Sequence, residues 1–112
     1  MDASKKISKI VEQLTLLIID NHSDSIVVKV DKKESEFDIE IKTDKFDEKM
    51  LSDLSHIPFR RNEIIEEYGW ELLGDDSSFN ESLHLIGSLV DNLEIKNEDE
   101  FGVIRLKRYE KA

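Results

Sequence analysis

The chain contains no cysteine, one proline and only four glycines among its 112 residues. The lack of cysteine excludes disulfides, thiolate zinc sites and a cysteine nucleophile. Long apolar runs are also missing, since residues 14–19 are interrupted by Thr15 and are far shorter than a membrane span. No basic stretch followed by an apolar segment opens the chain. We therefore expect a cytoplasmic protein with no membrane segment.

Basic residues are scarce, with 16 Lys and Arg against 26 Asp and Glu and a net charge of −10. This balance argues against a general nucleic-acid binder. Residues 62–100 contain twelve acids and one base, Lys96, for a local net charge of −11, whereas the last twelve residues are basic. The acidic stretch is either a solvated surface or a docking face for a basic partner.

The apolar spacing predicts one α+β domain over residues 1–112. Apolar residues three and four apart predict a helix over residues 4–20. β-branched and alternating residues predict strands over 26–30 and 37–41, joined by a turn over 31–36, and a final pair over 93–96 and 103–109. Two or three helices lie between the pairs. We predict a two-layer sandwich, with about three helices on one face of a four-stranded, mostly antiparallel sheet.

The helices between the strand pairs are predicted from caps and apolar faces. Asp44 is a candidate N-cap for a helix with Phe46, Met50, Leu51 and Leu54 on one face. The next helix spans residues 63–73, and we expect its inward residues to be Ile64, Ile65, Tyr68 and Leu72. Ser78 and Glu81 form a capping-box pattern for a third helix, which carries Leu83, Ile86, Leu89 and Val90.

Three short stretches resemble one family. They are EQLTLLIIDN (residues 12–21), Asp44 at the end of a strand, and LHLIGSLVD (residues 83–91) followed by LEI (residues 93–95). Together with the element order, they resemble the GHKL ATPase superfamily, and most closely its small anti-sigma-factor kinase type. The resemblance implies the Bergerat-like fold of histidine-kinase-like ATPase domains, here in a minimal version.

The resemblance implies roles for particular residues. Glu12 matches the glutamate that orients the attacking water or acts as general base. Asp44 matches the aspartate that binds the adenine amino group. Ser78, Asn80 and Ser82 fall on the glycine positions of the phosphate-binding segment.

The same alignment shows losses from that nucleotide site. Leu16 occupies the position of the magnesium-binding asparagine, and a leucine cannot ligate a metal. Phe46 replaces the glycine that admits the adenine base. We therefore expect no cofactor, with ATP and magnesium bound only if the chain is an active member of the family.

Each of these residues also has a simpler structural interpretation. Glu12 is then a carboxylate on a helix surface, and Asp44 a helix N-cap. The three histidines, His22, His56 and His84, lack the spacing of metal ligands, so we expect no metal site.

Tyr68 and Trp70 lie where the family carries its lid over ATP. They either close the edge of the core or anchor a protein partner. Leu16 and Ile19 widen the apolar face of the first helix, which is therefore covered on two sides or forms a homodimer contact.

From these residues we predict a non-catalytic regulatory or protein-interaction module on a degenerate ATPase scaffold, with a protein partner or a second copy as its ligand. One alternative is an active ATP-binding serine kinase of the anti-sigma type. The other is an acidic protein that neutralises a basic partner.

Overall fold

The computed structural model describes residues 2–73 and 79–110, without the side chains of residues 79 and 80. In chain order its elements are α1 (Ala3–Asn21), β1 (Ile26–Lys33), β2 (Glu36–Asp44), α2 (Glu48–Ser55), α3 (Glu63–Tyr68), α4 (Phe79–Gly87), β3 (Asn92–Glu98) and β4 (Phe101–Tyr109). A 3-10 helical turn, Gly69–Glu71, follows α3 directly. The predicted α+β class is confirmed.

The four strands form one sheet in the order β1-β2-β4-β3, and every neighbouring pair is antiparallel. Lys33 pairs with Glu36, so the first hairpin has a two-residue turn, and the longer turn predicted over residues 31–36 is wrong. The polar residues beside this turn belong to the two strands and pair in their register. The side chains of Lys33 and Asp38 also form an ion pair across the hairpin at 2.7 Å. In the second hairpin Asp99 takes a positive φ of 53°, which a tight turn requires.

Helices α1 and α4 each bury an apolar side against one face of the sheet, as predicted. Asp2 caps α1 by accepting a hydrogen bond from the backbone N–H of Lys5 at 2.9 Å. The buried residues contributed by α1 and by α4 with the residues after it are Ile7, Ile10, Leu14, Leu17, Ile18, Leu83, Ile86, Leu89 and Val90. They pack on the inward residues of the strands, which alternate with polar ones.

The other face of the sheet carries charges of both signs. Arg105 of β4 donates two hydrogen bonds to Glu98 of β3, at 2.9 and 2.8 Å, and one to Glu40 of β2 at 2.9 Å. The hydrogen bonds from Arg105 and Lys96 hold the pKa of the Glu98 carboxyl at about 2. This face is thus a ladder of ion pairs.

Asp44 does not cap α2, contrary to prediction. It is still paired in the sheet, opposite Phe101 at the end of β2. Asp47 caps the helix instead, and its carboxylate accepts a hydrogen bond from the backbone N–H of Met50 at 2.8 Å. Phe46 precedes the helix and is buried.

Candidate interaction surface

Helix α3 is attached at its start to the end of α4. The backbone N–H groups of Arg60 and Asn62 donate to the carbonyls of Gly87 and Ser88, at 3.0 and 3.1 Å. The side chain of Asn62 caps α3 by accepting from the N–H groups of Ile64 and Ile65. The chain therefore enters α3 in a fixed direction.

The inward side of α3 carries a charged residue. Glu66 points toward the sheet, where both guanidinium NH groups of Arg108 donate to its carboxylate, one of them at 3.2 Å. Arg61 donates to the same carboxylate at 3.1 Å. Burial opposes ionisation of Glu66, but the hydrogen bonds and attraction of the two arginines outweigh it. They hold the pKa of the Glu66 carboxyl below its usual value of 4.5.

Arg108 is 1% exposed and has a partner for each guanidinium nitrogen. Besides Glu66, it donates to Glu110 at 2.5 Å and to the backbone carbonyl of Leu89 at 2.5 Å. Its guanidinium lies 5.1 Å from the centre of the Trp70 ring, a cation-π distance. Burial lowers the pKa of Arg108, but Glu66 and Glu110 more than offset this and raise it. We call Arg61, Glu66, Trp70, Arg108 and Glu110 the Arg108 cluster.

The position of Arg108 is readable in the sequence, although we did not predict it. In β4 the residues Ile104, Leu106 and Arg108 alternate with Arg105 and Lys107. This alternation puts Arg108 on the same face as its two apolar neighbours, so it is a buried cation that needs an acid partner.

Trp70 belongs to the core, so it does not serve as an exposed anchor for a partner. Its side chain is 4% exposed, and its indole N–H donates to the backbone carbonyl of Glu66 at 2.8 Å. Gly69, beside it, has no room for a side chain, because a Cβ there would lie 2.6 Å from Ile65 Cγ2 and 3.2 Å from Leu85 Cδ1. The turn after α3 is thus pressed against α4.

The outward side of α3 exposes apolar residues that we predicted to be inward, so the predicted inward face is wrong. Ile64 is 70% exposed, Tyr68 62% and Leu72 49%, and only Ile65 of the four predicted residues is partly buried. The helix faces in this direction because Arg61 and Arg108 hold Glu66 on its inward side. Ile64 and Tyr68, four residues apart, share the outward face.

Three acids accompany these exposed apolar residues. Glu63, Glu67 and Glu71 are exposed and alternate along the chain with Ile64, Tyr68 and Leu72. Isolated apolar residues are common on protein surfaces, but several on one short, rigidly attached segment are typical of an interaction site. We call these six residues the α3 surface.

The described residues implied by the ATPase resemblance lie on α1, at the end of β2 and in α4. Glu12 is exposed on α1 beside the groove that Val30 and Phe37 line. Asp44 lies near the far end of α1, and roughly 14 Å of helix at ~1.5 Å per residue separates Glu12 from Asn21 at that end. Ser82 is buried, 3.5 Å from the amide nitrogen of Gln13. Ser78 and the Asn80 side chain lie outside the described residues.

A serine and a histidine lie beside Asp44, but their hydrogen bonds do not connect them as nucleophilic catalysis requires. The Ser23 hydroxyl donates to the Asp44 carboxylate at 2.5 Å. His22 bonds through Nε2 to the backbone carbonyl of Asp44 at 2.7 Å and stacks on Phe46, with ring centres 4.6 Å apart. A catalytic histidine would instead accept the serine proton. These contacts fasten the end of α1 to the end of β2.

In residues 2–73 and 79–110 no group of three or more His, Asp or Glu side chains is placed to hold a metal ion. In the same ranges no helix is long and apolar enough to cross a membrane. The chain matches no model of a known protein family and no curated protein.

Proposed function

We propose that the chain is a cytoplasmic, non-catalytic regulatory module that binds a protein partner through the α3 surface. The observation that carries this proposal is the orientation of α3, which turns an acid into the protein and Ile64 and Tyr68 outward. A helix normally buries its apolar side, so an apolar side held toward solvent favours a binding role.

The chemistry of the α3 surface defines the partner. Tyr68 is an aromatic residue of the kind that dominates interface energies, and Ile64 and Leu72 extend the apolar contact around it. Glu63, Glu67 and Glu71 add negative charge among them, which attracts a basic partner and fixes its orientation. We therefore propose a basic amphipathic segment, with apolar residues between Lys or Arg, as the ligand.

The Arg108 cluster supports this role by keeping α3 in place. Arg61 also donates to Asp91 at 3.3 Å and to the backbone carbonyl of Tyr109 at 2.7 Å. Lys6 of α1 lies 3.6 Å from Glu66, and Lys9 donates to the Trp70 carbonyl at 3.2 Å. A surface fixed in advance loses less entropy when a partner binds.

Selection from an unbiased peptide display library tests the proposal. We expect enriched sequences to be basic and amphipathic, and their affinity to fall about tenfold or more in Tyr68→Ser. Tyr109→Ser is the matched control, because Tyr109 is the other tyrosine, is 50% exposed and lies at the end of β4. Enrichment of sequences without basic residues, or binding that survives Tyr68→Ser, would contradict the proposal.

The non-catalytic part of the proposal rests on Leu16 at the position of the magnesium-binding asparagine. Calorimetric titration with ATP, with and without magnesium, tests it. We expect no saturable heat from folded protein. Saturable, magnesium-dependent binding would favour the serine-kinase alternative.

A further inference from the structure

Strand β1 forms an outer edge of the sheet. At the opposite edge the loop before α2 lies against β3, because the side-chain amide of Asn97 accepts from the backbone N–H of Phe46 and donates to its carbonyl, both at 2.9 Å. In the part of the chain that the structure describes, no strand or loop pairs in this way with β1. Its edge is therefore available for pairing with another strand.

The register of the first hairpin shows which backbone groups of β1 are free. Lys33 and Glu36 close a two-residue turn and form a hydrogen-bonded pair, and such pairs recur at every second residue. Lys29 and Asp31 therefore bond to β2. The N–H and C=O groups of Ile26, Val28, Val30 and Lys32 point away from the sheet.

An apolar groove runs beside this edge, between β1 and α1. It has a volume of about 470 Å³ and is lined mainly by Ser4, Ile7, Ser8, Val11, Val30 and Phe37. Val30 is 43% exposed there. Serines at 4 and 8 leave space for a neighbouring helix or strand to approach.

We propose that the occupant of this edge is a second copy of the chain, whose β1 pairs antiparallel with β1 about a twofold axis at Val30. The free backbone groups allow only registers that match even-numbered residues with even-numbered ones. An axis at Lys29 sets two lysines opposite each other, and an axis at Asp31 sets two aspartates opposite each other. Both arrangements are repulsive.

The register centred on Val30 is favoured by charge. It sets Lys29 opposite Asp31 of the second copy, twice by symmetry, and brings the two Val30 side chains together beside the joined grooves. An axis at Val28 instead sets Lys29 opposite Val27 and leaves Asp31 without an opposite charge. Within one chain the Lys29 and Asp31 side chains are already 3.6 Å apart and largely exposed, so they need little rearrangement.

Charge reversal with analytical ultracentrifugation tests this dimer. Lys29→Asp sets two pairs of aspartates against each other, and Asp31→Lys two pairs of lysines, so each variant alone should dimerise about tenfold more weakly than wild type. An equimolar mixture of the two should restore dimers, because every opposed pair is then Lys against Asp. The double variant K29D/D31K should also recover dimerisation.

Lys45→Asp changes charge at an exposed loop residue and should leave dimerisation unchanged. Tyr68→Ser should also leave dimerisation unchanged. A failure of the dimer proposal can therefore be distinguished from a failure of partner binding at the α3 surface. A wild-type monomer at millimolar concentration would overturn the dimer. A mixture that fails to restore association would overturn the register.

Discussion

Helices α3 and α4 both carry apolar residues at helical spacing, but only α4 buries them. In α4 Leu83 and Ile86 are at most 1% exposed, as predicted, whereas in α3 Ile64 and Tyr68 are well over half exposed. The two helices differ in the groups that their inward residues contact. Leu83 and Ile86 of α4 belong to the apolar core, whereas Glu66 of α3 contacts the guanidinium of Arg108.

The buried charge of Arg108 thus decides the direction in which the short helix α3 faces. Leaving Arg108 unpaired in the core costs more than exposing one or two apolar side chains. Glu66 supplies the carboxylate. When Glu66 faces Arg108, Ile64 and Tyr68 of the same helix face solvent.

The largest expected effect comes from removing the cation. Arg108→Ala opens a cavity in the core and removes the hydrogen bonds that Arg108 donates to Glu66, Glu110 and the Leu89 carbonyl, so we expect it to lower the free energy of unfolding by about 4 kcal/mol. Trp70 is the one tryptophan and contacts Arg108, so its fluorescence should shift toward that of a solvent-exposed indole.

Lys107→Ala is the control for that variant, because Lys107 is adjacent in β4 but lies on the charged face of the sheet. It should change the free energy of unfolding by about 0.5 kcal/mol or less. A similar small effect for Arg108→Ala in denaturant titrations would mean that Arg108 does not hold α3.

A matched pair of isoleucine substitutions comes next in size. Ile86→Ala removes a fully buried side chain of α4 and should cost about 3 kcal/mol. Ile64→Ala, on the outward side of α3, should cost about 0.5 kcal/mol or less. Equal costs in denaturant titrations would show that α3 buries its apolar side as α4 does.

The smallest expected effect is a pH dependence. The folded-state pKa of Glu66 lies below its usual value of 4.5, so its contribution to stability is present above pH 4.5 and is lost as the pH falls below it. Wild type should therefore lose stability more steeply there than Glu66→Gln, by up to ~1.4 kcal/mol per pH unit. Parallel curves from urea titrations across this range would contradict the role of Glu66.

Much of the fold is predictable from local pattern. The helix over residues 4–20 and both strand pairs are confirmed within a few residues, because their periodicity is strong and their caps and turns are local. The helix predicted over residues 63–73 ends at Tyr68 instead, where Gly69 and Trp70 turn against α4. Asp44 was misassigned because Asp44 and Asp47 both suit a cap, and only the length of β2 distinguishes them.

The candidate site was only partly predictable. Tyr68 and Trp70 were candidate partner residues because this aromatic cluster lies where the GHKL family carries its lid, and the exposure of Tyr68 agrees with that hypothesis. The hypothesis that Trp70 is an exposed partner residue as well was wrong, because its indole packs inward against Arg108, a residue 38 positions later in the chain. The apolar spacing of α3 could not reveal this, since it says nothing about what lies beneath the helix. The resemblance to GHKL ATPases stays a prediction.

We infer that α3 holds Ile64 toward solvent, whereas the buried isoleucines of the core are protected. Methyl NMR of isoleucine-labelled protein with a soluble paramagnetic agent tests it most directly. We predict strong broadening of the Ile64 methyl signals and little broadening of those of Ile86, which is 0% exposed. Ile64 signals as protected as those of Ile86 would contradict the account.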